Sequence, residues 1–294
     1  MTEGAVRITV VPYPPPPSPS VTPPLAGEDE ILPFPAGGTP SGRFCACRLP
    51  KPPPGGTLTA MATIAIYSLK GGVGKTTCAV NLAWCSATNS ARRTLLWDLD
   101  PQAAATWLLG GTTGDQAQAV FSKDVAAARQ ARPTRYPKLD LIGADASLRR
   151  LDQLFYDLDK KKRLAKLLGE LKGYDRVLLD CPPGLTETAD QVMRAADLIV
   201  IPVIPSPLSQ RAYDEVVRHL GGRAPLLPVH VMVDRRRALH ADALTANPDW
   251  PVIPMASAIE GMAARREPVG ASAPRSPAAK AFADLWRVIE HRIA

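Results

Sequence analysis

Thr63-Ile64-Ala65-Ile66-Tyr67-Ser68-Leu69-Lys70-Gly71-Gly72-Val73-Gly74-Lys75-Thr76-Thr77 is the stretch on which the fold turns. Its first residues are apolar or β-branched and read as a buried strand, while residues 76–87 carry a helical pattern. A glycine-rich turn joins the two. Glycine allows positive φ and lets the backbone approach a ligand closely. Successive N–H groups at a helix start form a cradle for an anion. Lys75 is placed to reach the outer phosphates of a nucleotide, and the Thr76 hydroxyl to bind Mg2+. Gly71, Gly72, Val73, Gly74, Lys75, Thr76 and Thr77 are therefore the expected phosphate-binding residues. The usual form of this loop has four residues between its two glycines, and here Leu69 holds the first slot. A plain strand-to-helix turn would explain the glycines but not the Lys-Thr pair.

Two further strands end in acids. Arg176-Val177-Leu178-Leu179-Asp180 runs into Cys181-Pro182-Pro183-Gly184, which is a Walker B pattern that carries Asp180 to the edge of a sheet beside the phosphate loop. Thr94-Leu95-Leu96-Trp97 delivers Asp98-Leu99-Asp100-Pro101-Gln102 to the same edge. A single acid at a strand end can be a helix cap. Two such strands converging on one phosphate loop point to a metal and water site. More short apolar runs, at 139–142, 198–203, 229–233 and 252–253, alternate with helical stretches at 148–171, 186–195, 209–220 and 278–293. This alternation predicts an α/β P-loop NTPase with a mostly parallel twisted sheet of about seven strands and helices on both faces.

Composition narrows the class. Of the 31 prolines in 294 residues, 15 fall within residues 1–60, where runs such as Pro14-Pro15-Pro16-Pro17 exclude regular structure. Residues 1–60 are expected to be a disordered tail with polyproline II patches, or to reflect a misassigned start, with the P-loop domain over 61–294. No apolar run approaches the ~18 residues of a membrane helix; the longest, 198–204, is interrupted by Pro202. The N-terminus has no basic stretch followed by an apolar one, the mark of a secretory signal. Cys45, Cys47, Cys78, Cys85 and Cys181 form neither a CxxC pair nor a His cluster, so free thiols in a reducing cytoplasm are expected.

The residues 70–77 resemble the deviant Walker A signature of the ParA/MinD ATPases, and 98–102 resemble the corresponding Walker A′ element of the ParA branch, in the type that lacks an N-terminal helix-turn-helix. Residues 178–183 resemble its Walker B, and 201–208 are similar to the segment that lies against adenine, which nominates Pro205, Ser206 and Pro207. Ser68-Leu69 departs from the Asn- or Gln-containing pair of many members. The resemblance spans about residues 62–293. It implies a slow, partner-stimulated ATPase that closes as a homodimer around ATP and Mg2+. Lys70 would reach the partner subunit's phosphates, in the manner of an arginine finger. Asp100 would orient the attacking water, while Asp98 and Asp180 would hold the Mg2+ hydration shell.

The net charge of +7 is uneven: residues 123–176 carry +6, 177–210 carry −3 and 211–294 carry +3. Lys160-Lys161-Lys162-Arg163 and Arg235-Arg236-Arg237 are the dense runs. A charge run is commonly a solvated face, but clustered cations also bind DNA phosphates without reading sequence. The resemblance favours the C-terminal arginines for DNA: Arg235, Arg236, Arg265, Arg266 and Arg275. The leading expectation is a nucleoid-associated bacterial ATPase that partitions or positions a plasmid, chromosome locus or protein cargo with a ParB-like or adaptor partner, and with no membrane attachment. The alternative is a MinD-like membrane-associated regulator, against which the run 98–102 and the want of a trailing basic amphipathic stretch argue. The apolar stripe Phe282, Leu285, Trp286, Ile289 and Ile293 could lie on a membrane but is expected to pack onto the sheet. A metal-cluster reductase lacks its bridging cysteines here, and an amidoligase on the same fold is a weaker option.

Overall fold

β1 (Ala62–Ile66) is buried along its whole length and sits inside an eight-stranded sheet. The computed structural model describes residues 61–112, 117–122, 126–157, 162–222 and 224–294. The proline-rich stretch 1–60, with Cys45 and Cys47, and the charges Lys160 and Lys161 lie outside the described residues.

The other strands are β2 (Thr94–Asp98), β3 (Arg132–Pro133), β4 (Leu139–Ile142), β5 (Arg176–Asp180), β6 (Leu198–Val203), β7 (Leu226–Val233) and β8 (Val252–Pro254). They lie in the order β3-β4-β2-β5-β1-β6-β7-β8, and every pairing but β3–β4 is parallel. The strand beyond the expected seven is β3, an exposed two-residue edge too short to show any period. The core strands are mostly apolar because both faces are covered, with Asp98, Arg176 and Asp180 confined to strand ends. Ile64 and Ile66 enter one core cluster, Ala65 and Tyr67 the other, so successive residues feed opposite layers.

The first layer holds α1 (Lys75–Asn89), α2 (Ala104–Leu108), α9 (Ser257–Arg265), α10 (Val269–Ser272) and α11 (Pro277–Ile293). The second holds α3 (Ala119–Ser122), α4 (Leu151–Asp157), α5 (Arg163–Gly169), α6 (Glu187–Ala195) and α7 (Pro207–Leu220). α8 (Ala238–Ala246) follows β7. The α11 stripe packs inward: Phe282, Leu285, Trp286 and Ile289 are buried, and Trp286 Nε1 donates to the Ser90 hydroxyl at 2.8 Å. Buried Arg176 makes two 2.9 Å bonds to Glu290 and ties α11 to the start of β5. Among the described residues, no helix is long and apolar enough to cross a membrane.

The single helix expected over 148–171 is corrected. A 3-10 turn (Ala146–Arg150), capped by Asp145, leads into α4, and a separate α5 starts after Lys162. Arg163, read from sequence as part of a charged face, is buried, and its Nε donates to the Phe121 carbonyl at 3.1 Å.

Candidate functional site

The phosphate loop runs from the end of β1 to Lys75, the first residue of α1. Gly72 (φ 71°) and Gly74 (φ 84°) are left-handed, which is where this turn needs glycine. No side chain caps α1, and its first turn carries no acid, so its N–H groups are free to meet an anion. A Cβ built on Gly71 or Gly72 would meet nothing within 4 Å, so the loop borders open space. Lys75 is buried, and its Nζ donates to the Lys70 carbonyl at 3.1 Å. Burial lowers its pKa, while Asp180 and then Asp100 pull it back up. Ser68, the departure noted in the sequence, accepts from the Lys70 N–H at 3.3 Å through its hydroxyl and so helps shape the loop.

The β2–β5 register sets Asp98 beside Asp180, and both are fully buried. Neither Asp180 oxygen has a hydrogen-bond partner. Burial first, and Asp98 second, push the Asp180 pKa well above the carboxylate range. The nearby Thr76 hydroxyl and Lys75 ammonium pull the other way, although Thr76 falls outside hydrogen-bond geometry. An unpaired carboxylate at full burial is costly unless a cation joins it. The chemistry of this donor set fits Mg2+, which takes few protein oxygens and keeps waters and phosphates for the rest. Among the described residues there is no cluster of three or more His, Cys, Asp or Glu that would suit an all-protein metal cage.

Asp98 is already engaged. Its Oδ2 accepts from the Thr106 N–H at 2.9 Å and the Thr106 hydroxyl at 2.7 Å, and its Oδ1 accepts from the Asp100 N–H at 3.1 Å. Burial raises its pKa to about 6, with the Thr106 bonds opposing. Asp98 therefore anchors the turn that presents Asp100. Asp100 is partly exposed, accepts from the Gln102 N–H at 2.9 Å, and faces an open cleft of about 630 Å3 lined also by Gly71, Lys75, Thr76, Pro182 and Pro183.

A second cavity, about 330 Å3 and mostly apolar, adjoins this cleft through Gly74, Thr77 and Met232. Val73, Cys78, Ile253, Pro254, Met255 and Ile259 line it. Met232 reaches both spaces from a left-handed residue (φ 55°) in β7, where the register with β8 shifts between His230 and Val233. Such a bulge re-aims a side chain. Sequence reasoning missed this pocket, because its walls come from five separate segments and a bulge leaves no periodic signal. Pro205, Ser206 and Pro207 line neither cavity. They follow β6, and Ser206 instead caps α7, accepting from the Ser209 N–H at 3.3 Å.

The five arginines nominated for DNA divide. Arg235, Arg236, Arg265 and Arg275 are exposed. Arg236 grips Asp234 at 2.9 and 3.0 Å, which lowers the Asp234 pKa to about 2. The Arg266 guanidinium lies 4.7 Å from the Trp107 ring centre and donates to the Trp107 carbonyl. Cys78, Cys85 and Cys181 are buried free thiols, as expected.

Residues 61–221 match a protein family described as an AAA domain (AAA_31). The chain is 38% identical over 145 residues to the sporulation initiation inhibitor protein Soj of Bacillus subtilis, a stretch covering 48% of this chain and 57% of that protein. It is 32% identical over 194 residues to the chromosome partitioning protein ParA of Caulobacter vibrioides, covering 61% of this chain and 72% of that protein. The chain thus spans little more than half the length of Soj. Two solved structures share the fold. Apo McdA of Cyanothece gives a TM-score of 0.68 at 21% identity, over 78% of this chain and 100% of that one. The cell division ATPase MinD of Pyrococcus furiosus gives 0.68 at 24%, over 78% and 98%.

Proposed function

Because the chain belongs to the ParA/MinD family of P-loop ATPases, we propose that it is an ATP-dependent dimerising ATPase that binds DNA without sequence preference and positions a genetic or protein cargo over the nucleoid. The observation that carries this reading is the orphaned carboxylate of Asp180 facing Lys75 and Thr76 at an uncapped helix start. In this reading the α1 amides and Lys75 bind the phosphates, and Thr76 and Asp180 hold Mg2+, directly or through its waters, with Asp98 behind them. When bound, Mg2+ would draw charge from the phosphate oxygens. Asp100 orients the attacking water and Lys70 serves the partner subunit's nucleotide. The adenine base enters the apolar pocket between the ends of β7 and β8, which shares Gly74, Thr77 and Met232 with the phosphate cleft, rather than the Pro205–Pro207 segment.

Dimerisation doubles the phosphate contacts offered by Arg235, Arg265 and Arg275, so DNA affinity should rise steeply with ATP. A ParB-like protein or cargo adaptor would stimulate turnover. Residues 61–294 suffice for these activities, so a chain starting at Met61 should hydrolyse ATP as the full chain does. The test is non-specific DNA binding with ATP, with ADP and without nucleotide at two salt concentrations. Each added phosphate contact should steepen the log–log salt slope by about 0.9. Equal affinity in all three states would reject the switch. The membrane-associated alternative has no support from α11, whose apolar stripe is buried in the core.

A further inference from the structure

We infer that Arg266 is a positioning residue for the Asp100 turn, acting through Trp107, and is not a nucleic-acid contact. The inference rests on the ATPase reading above for its kinetic consequence, though not for its structural one.

α2 is five residues long, too short to hold itself. It is the element that follows Asp100-Pro101-Gln102, and it is entered through Ala103, a non-glycine residue at φ 52°. A left-handed alanine persists only where its surroundings hold it. α2 is held from within at its middle residue, by the two bonds from Thr106 to Asp98. Its last turn is held from outside, by Arg266. Nε of Arg266 donates to the Trp107 carbonyl at 2.9 Å, Nη2 donates to the same oxygen, and the guanidinium covers the Trp107 ring. That carbonyl lies in the last turn of α2, where a cation complements the helix dipole. Trp107 is 48% exposed, and the guanidinium lies 4.7 Å from its ring centre.

Arg266 is itself aimed at a cost. It closes α9 at φ 54°, a conformation suited to glycine, with its N–H bonded to the Ala263 carbonyl. Arg135 donates to the Arg266 carbonyl, sits 3.7 Å from Glu267, and lies over the Tyr136 ring. Two separate segments, residues 263–267 and residues 135–136, thus converge to point one guanidinium at the end of α2. Nε and Nη2, two of the groups a DNA phosphate would use, are already directed to the Trp107 carbonyl.

The experiment compares full-length wild type with Arg266→Ala, Arg266→Lys and Arg266→Gly. Hydrogen exchange on nucleotide-free protein is read over residues 101–109 and, as a reference, over α11. Losing the stack and fork should speed exchange in 101–109 by about three- to tenfold and leave α11 unchanged. ATP turnover should fall by a similar factor in kcat, with KM within about twofold, and DNA affinity and its salt slope should not move. Lys keeps the charge but lacks the planar fork, so it should restore neither exchange nor kcat. Arg266→Gly relaxes the backbone while removing the side chain, so the same faster exchange in a protein at least as stable separates positioning from stability, and serves if Arg266→Ala fails to fold. Unchanged exchange over 101–109 in both Arg266→Ala and Arg266→Gly would overturn the inference. So would full recovery by Lys together with a weakened DNA slope in Ala, the signature of a phosphate contact. Wild type lacking ATPase activity would reject the ATPase reading and leave the exchange result to decide on Arg266.

Discussion

Replacing Asn81 by alanine should be among the most damaging single changes in the first layer. Asn81 lies in α1, four residues past Thr77, and is buried. Its Nδ2 donates to the Thr77 carbonyl at 2.8 Å and contacts Met262 Sδ at 3.2 Å. Its Oδ1 accepts from the Val269 N–H at 2.7 Å, at the start of α10. Val269 is fully buried, so truncation strands a backbone donor away from water. An unsatisfied buried donor costs about 1–3 kcal/mol. The lost amide bond and the small cavity bring the expected total to about 2–4 kcal/mol. For a domain of this size that corresponds to a fall in Tm of roughly 5–12 °C. Urea and thermal unfolding of nucleotide-free protein measure it. Asn81→Asp keeps the acceptor for Val269 but turns an oxygen toward the Thr77 carbonyl, so it should recover only part of the loss. Stability of Asn81→Ala within about 0.5 kcal/mol of wild type, the range of an ordinary surface change, would refute the reasoning.

Lys75→Ala should abolish ATP binding in a fluorescent-nucleotide titration, whereas Asp100→Ala should bind ATP and dimerise but stall in a phosphate-release assay. Wild-type turnover in Asp100→Ala would remove the water-orienting role. Ala103→Gly should relieve the left-handed strain and stabilise the fold by up to about 1 kcal/mol in urea, less whatever entropy the unfolded chain gains. A destabilised Ala103→Gly would show that the strain is absent. His230 is buried with neither ring nitrogen hydrogen-bonded, and burial lowers its pKa below the usual 6.5 despite the nearby Asn247 backbone. The unfolded chain therefore binds more protons below pH 6.5, so wild type should lose stability as pH falls through that value. His230→Phe should lose less, and parallel pH profiles for the two proteins would reject the assignment.

The phosphate loop and the strands that carry Asp98 and Asp180 were legible because each is a local pattern: a contiguous motif, or an apolar run ending in an acid. The features that escaped are assembled from distance. The apolar pocket needs β7, β8, α1 and α9 to meet, and Met232 enters it by a bulge that no residue type announces. Pro205–Pro207 sat beside a strand end in sequence, yet the sheet order puts β7 and β8, rather than the β6 end, next to the open pocket. The charge of Arg163 looked solvated because its partners, the Val120 and Phe121 carbonyls, lie some forty residues upstream. α8, α9 and α10 were missed for want of length, since alanine-rich segments of nine residues or fewer give a weak amphipathic period. Arg266 read as one more surface cation for the same reason: Trp107 is remote in sequence.

The bond from Lys75 Nζ to the Lys70 carbonyl closes a ring around Gly71–Gly74 with the chain's own atoms. Fixing one residue of free backbone costs about 1–2 kcal/mol of entropy. A loop of glycines would lose more than most, and here that ordering belongs to folding rather than to binding. Hydrogen exchange of the nucleotide-free protein should accordingly be slower over residues 70–75 in wild type than in a variant whose Lys75 side chain is shortened, and such a loop recognises phosphate by shape at first encounter.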